Sequence, residues 1–209
     1  MGGILLRFKD CFSIRISGII GGFILFLRAA PAHAHLVTTG LGPVYDGISH
    51  LALTPEDLVP TLAVALLAGL GGARYGRMTL FAVPAAWLIG GLAGLVLTTA
   101  VNPYLTTVSF LVLGGLVAAD LDLSPRVMIT LISIFGLFHG YLNGSVMAQA
   151  NLGFLGLVGI TATVFVMIAL VAGFVVSLKV KWMRIAVRVA GSWIVAMGIL
   201  LLGWAVKGG

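Results

Sequence analysis

Six long apolar segments, separated by short connections that carry nearly all of the charge, leave this chain few folds to adopt. They run over about 57–73, 79–100, 104–120, 126–143, 153–178 and 183–206. Runs of about 18 or more apolar residues are long enough to cross a hydrocarbon core. A backbone in lipid must satisfy its own polar groups, which favours helices over an open sheet. With 60% of its residues hydrophobic and 9% charged, the chain is expected to be all-α. The expected form is a polytopic membrane helix bundle with six transmembrane helices, and 209 residues leave room for one such bundle.

Residues 1–34 read as a cleavable signal peptide. Arg7, Lys9 and Arg15 form a basic leading region, Ile16 to Leu27 a short apolar core, and Ala32-His33-Ala34 a small-x-small cleavage pattern. An uncleaved first span is the alternative, with Ser17, Gly18, Gly21 and Gly22 diluting the core. Cleavage would leave a transmembrane domain over 35–209 that begins at His35, where amine and imidazole lie side by side. Cys11 lies in the leader, so the mature chain would carry neither disulfide nor thiolate ligand.

The connections sort by charge. Arg74 and Arg77 follow the first apolar run, Arg126 follows the third, and Lys179, Lys181, Arg184 and Arg188 follow the fifth. The opposite side holds only Lys207. The positive-inside rule makes the odd-numbered connections cytoplasmic and both mature termini periplasmic, in a multi-pass protein of the bacterial inner membrane. The formal charge of +6 is thereby assigned to orientation in the lipid bilayer, and no nucleic-acid partner is expected.

Polar groups are scarce enough for their placement to be read. Phe138-His139-Gly140-Tyr141-Leu142-Asn143-Gly144 puts an imidazole and an amide four residues apart near the end of the fourth run. Ionisable groups in membrane spans are expensive to keep and mark functional sites by default. Asp46, His50, Glu56 and Asp57 precede the first run, and the expected topology brings them to the same face as His139 and Asn143. Neutral imidazole suits a metal or proton site, whereas an interhelical hydrogen bond would make His139 and Asn143 packing glue. Glu56 and Asp57 carry a similar ambiguity. Thr54-Pro55-Glu56-Asp57 has the form of a helix start, with Asp57 where a capping acid belongs. Capping does not account for Asp46 and His50.

Other residues are read more simply. Tyr141 is an interfacial anchor or a partner in the site, and Met147 a weak candidate as a soft copper ligand. Asp120 and Asp122 read as a solvated turn before Ser124-Pro125, a helix cap and first helical position. Gly136, Gly140 and Gly144 recur every four residues, as do Gly90 and Gly94, a spacing that lets helix backbones approach closely.

On these motifs the chain resembles the HupE/UreJ family of hydrogenase and urease accessory membrane proteins, implicated as nickel or cobalt permeases. The family's FHGxAHG motif is matched by Phe138 to Gly144, and its HPxxGxDH motif aligns with the segment beginning at His50. Leu51 stands for the proline, Glu56 for the aspartate, Asp57 for the second histidine and Asn143 for the closing histidine of the later motif. Two imidazoles are thus exchanged for oxygen ligands, which makes a harder site. The resemblance implies a permease rather than an enzyme. Its substrate would be a divalent transition metal ion, nickel or cobalt, with copper and zinc also in range. Asp46, His50, Glu56, Asp57, His139 and Asn143 would form or flank the metal site. Homo-oligomers or metalloenzyme-assembly partners are also in keeping with it. Rival readings are a membrane metal-dependent hydrolase and a non-transporting accessory subunit. A serine protease centred on Ser145 has no glycine-rich nucleophile loop to support it.

Overall fold

The computed structural model describes residues 39–97 and 104–208. The signal-peptide reading of 1–34 and the terminal His35 lie outside the described residues. Among those described, seven helices follow one another and no strand occurs: α1 Pro43–Leu53, α2 Pro55–Leu70, α3 Ala73–Val96, α4 Tyr104–Ala119, α5 Pro125–Gln149, α6 Gly153–Ser177 and α7 Lys181–Gly208. Helices α2 to α7 overlap the six apolar runs.

Helix α1 lies ahead of the first apolar run, a stretch to which the sequence reading assigned no helix. Gly42 (φ 106°) turns the chain and Pro43 opens the helix at its first position. Thr54 then takes an extended conformation (φ −103°, ψ 95°), as the proline after it requires. It ends α1 and starts α2, and the two helices meet at a bend of 77°.

Helices α3, α5, α6 and α7 are each long and apolar enough to cross a membrane, and the bent pair α1–α2 passes that test together. Helix α4 has 16 residues. It is about 24 Å long at 1.5 Å per residue, short of a core of about 30 Å. Among the described residues, helix length therefore supports four spans, or five with the bent pair, where six were expected. Large apolar side chains such as Phe81, Ile134, Leu170, Leu200 and Trp204 face outward. Contiguous exposed apolar surface of this kind marks contact with lipid or protein.

Glycine sets the closest seam. Helix α3 lies against α5, with Gly90 and Gly94 on the backbone of Leu137 and Tyr141, and Gly136, Gly140 and Gly144 on that of Val83, Trp87 and Gly91. A Cβ on Gly140 would overlap the Trp87 carbonyl, one on Gly144 the Gly91 carbonyl, and one on Gly94 the Tyr141 carbonyl. Both stripes expected from spacing thus line this one seam. Gly47 and Gly159 let α1 and α6 approach in the same way, at Gly156 and Val44. Helix α6 also packs on α2 and α3, while α4 packs on α7 and α2.

One end of the bundle gathers the basic connections. Arg184 of α7 clasps Asp120 at the end of α4 through two bonds of 2.8 Å, and Arg188 donates to the Ala118 carbonyl at 3.0 Å. Tyr75 of α3 donates to the Leu123 carbonyl at 2.6 Å. The α2–α3, α4–α5 and α6–α7 connections therefore share an end, as their charges suggest. Asp120 does stand in the turn after α4 and Asp122 is exposed, but Asp120 is also the partner of Arg184 in an ion pair. Ser124 caps α5 as expected, accepting from the Val127 N–H at 3.4 Å.

Candidate functional site

His139 lies on α5, anchored by the glycine seam one residue further on. Its backbone is therefore fixed against α3, and its ring reaches across to α2 and α4. Nδ1 lies 2.7 Å from a carboxylate oxygen of Asp57 on α2, and Nε2 lies 2.9 Å from the hydroxyl of Ser109 on α4. Three helices meet at one imidazole. With Asp57 as a carboxylate, which can only accept, Nδ1 would carry the proton between them. In the neutral ring the Nε2 lone pair then accepts from Ser109.

The ring is enclosed by aromatic side chains. His139 is 0% exposed and is bordered by Phe135, Phe138 and Trp87, with ring centroids 4.5, 5.3 and 5.8 Å away. A low local dielectric strengthens the hydrogen bonds made there and raises the cost of leaving one unmade. Asp57 is held from behind, because Thr61 one turn later donates to its carbonyl at 2.7 Å.

The helix-start reading of Asp57 meets this geometry directly. Thr54 is the N-cap residue and Pro55 the first helical position, but the Thr54 side chain makes no capping bond. The Asp57 carboxylate turns to His139, 82 residues away. Both acids lie in the first turn of α2, where the positive end of the helix dipole favours negative charge.

Asn143 sits one turn beyond His139. Its amide nitrogen donates to the His139 carbonyl at 2.9 Å, while its side-chain oxygen is buried without a hydrogen-bond partner among the described residues. The Trp87 indole N–H is likewise unpartnered. Buried polar atoms are nearly always satisfied, so an orphaned acceptor one turn from an imidazole indicates reserve capacity for a water or a cation.

The remaining sequence candidates form a second group on α1 and the start of α2. His50 is buried, with a long contact of 3.5 Å to the Thr54 hydroxyl, and lies within electrostatic reach of Asp57. Glu56 is exposed, within electrostatic reach of Asp57 and His139. Asp46 is turned the other way, accepting from the backbone and hydroxyl of Thr39 at 2.6 Å each. Among the described residues, no three His, Cys, Asp or Glu side chains gather as a ready-made metal cage.

Two further candidates fall outside the site. Tyr141 donates to the Leu97 carbonyl at the end of α3, and the Met147 thioether fills the space left by Gly156. Sequence reasoning missed Ser109, because one serine in an apolar helix has no local pattern. Its partner is 30 residues away on another helix.

No curated protein and no solved structure matches this chain. The sequence profile described as HupE / UreJ protein matches residues 23–201, most of the chain including every residue of the site above. This chain therefore belongs to the HupE/UreJ family.

Proposed function

We propose that this protein is an inner-membrane permease that takes a divalent transition metal ion, nickel or cobalt, from the periplasmic face. The observation that carries this reading is the buried Asp57–His139–Ser109 chain, with an unpartnered side-chain oxygen on Asn143 one helical turn further along α5. A metal-binding histidine commonly donates its other ring N–H to a carboxylate, which fixes the tautomer and the ring's direction. Asp57 is placed to do this through Nδ1, leaving Nε2 as the ligand atom. Ser109 holds that atom while no ion is bound. An arriving ion would displace the hydroxyl and gain the Asn143 oxygen, with His50 and Glu56 receiving it first.

A sparse mixed nitrogen and oxygen site suits transit, which requires binding weak enough to release. A membrane potential would drive inward movement of a divalent ion by about 4.6 kcal/mol per 100 mV, twice the single-charge value. The family's accessory role in metalloenzyme assembly fits such a supply function. Uptake of nickel and cobalt by cells expressing the wild type or His139→Gln tests the reading: a normally expressed variant should lose metal-dependent uptake.

A second reading has one specific observation in its favour. Asp57, His139 and Ser109 stand in the order of an acyl-transfer triad, with bonds of 2.7 and 2.9 Å. Such a triad also needs donors aimed at a developing oxyanion. Ser109 lies within α4, where neighbouring N–H groups serve the helix itself. The hydrolase reading is therefore the weaker one.

A further inference from the structure

Helices α4 and α5 diverge beside the site and leave an open groove of 680 Å³ between them, a volume in the range of small-molecule pockets. Its walls are apolar apart from Ser109, Thr130 and Arg126, and Arg126 is the one charged residue among them. From Arg126 to Phe138 the groove follows α5 for about 18 Å at 1.5 Å per residue. One leaflet of a bilayer core is about 15 Å deep, half of about 30 Å. Arg126 is exposed in the first turn of α5, a 25-residue helix. Its charge is added to the positive end of the helix dipole, where anions are favoured. Ile134, part-way along, is 62% exposed. An empty apolar groove in lipid would forfeit dispersion contacts along its whole length.

We propose that this groove holds one anionic phospholipid, its phosphate on Arg126 and one acyl chain lying along α5 toward Phe138. Basic pockets between membrane helices recognise anionic headgroups in this way. Thr130, one turn beyond Arg126, stands level with the glycerol ester oxygens. The end of the chain reaches Ser109 and closes the lipid-facing side of the His139 site. The inference rests on the groove and its single cation, not on metal transport.

Native mass spectrometry of the full chain, exchanged into phosphatidylglycerol or phosphatidylcholine at equal concentration, tests it. The wild type should retain phosphatidylglycerol about fivefold more than phosphatidylcholine, the worth of one basic side chain near an anionic surface. Arg126→Gln should abolish the preference and Arg126→Lys should keep most of it. Ile134→Trp, or Val112→Phe if the first does not fold, should lower retention of both lipids by filling the groove. Millimolar glycerol 3-phosphate should leave bound lipid in place. Equal retention of the two lipids by the wild type, or an unchanged preference in Arg126→Gln, overturns the proposal. So does release by glycerol 3-phosphate, which would mean a plain phosphate site, or a dimer that excludes lipid from the groove.

Discussion

The Asp57 carboxylate lies 2.7 Å from Nδ1 of His139 although 82 residues separate them in the chain. That one contact ties the start of α2 to the middle of α5 and leaves Nε2 of His139 to Ser109. If Asp57 acts by orienting the ring, removing its charge should hurt metal binding more than folding. Asp57→Asn and Asp57→Ser should each weaken nickel or cobalt affinity by about 10–100-fold, the usual effect of losing a ligand's supporting carboxylate. Both retain a capping oxygen. Titration calorimetry beside thermal melts reads the two effects separately, and full affinity in Asp57→Ser would return the residue to a capping role.

Ser109 distinguishes the two readings of the same hydrogen-bond chain. As a placeholder on Nε2 it is dispensable, so Ser109→Ala should keep metal uptake within about tenfold, given a net worth of about 0.5–1.5 kcal/mol for one hydrogen bond. As a nucleophile it would be essential. Parallel uptake and ester-hydrolysis assays on the variant check this, and a hydrolytic activity abolished by Ser109→Ala would favour the enzyme.

The glycine seam gives a prediction about assembly. Gly144→Ala would push a methyl group into the Gly91 carbonyl, and Gly140→Ala into that of Trp87. Either should lower stability by at least the 1–3 kcal/mol typical of overpacking. Gly173 has open space where its Cβ would stand, so Gly173→Ala should melt at or slightly above the wild-type temperature. Equal melting of all three in detergent would contradict the packing described.

Much of this was legible in the sequence because lipid imposes one dominant rule. Apolar run length located α2 to α7, and four-residue glycine spacing found both halves of the α3–α5 seam. Helix α1 was missed because, at 11 residues and with Asp46 and His50 in it, it is too short and too polar to stand out as an apolar run. It is a short helix buried against α6 and joined to α2 by the Thr54-Pro55 break. Asp57 was ambiguous for a different reason: Thr54-Pro55-Glu56-Asp57 satisfies a local capping pattern completely, and the contact that redirects the carboxylate comes from α5. Ser109 and the Asp120–Arg184 pair gave no signal, since each depends on helices brought together only by folding.

Sidedness can be checked independently. The basic end that holds Asp120 and Arg184 should face the cytoplasm by the positive-inside rule. On a Cys11→Ser background, Lys181→Cys should label only after the membrane is permeabilised, and Gln149→Cys should label in intact spheroplasts. The reverse pattern would place the His139 site nearer the cytoplasmic face and oppose uptake from outside.

The most direct measurement is nickel or cobalt accumulation by proteoliposomes holding the purified chain, with the interior negative. Wild type should accumulate the ion in proportion to the imposed potential. His139→Gln, which retains a hydrogen-bonding side chain but not the imidazole, should reduce accumulation to that of empty liposomes while melting within a few degrees of wild type. Equal accumulation by the two proteins, or none by well-folded wild type, would contradict transport through His139.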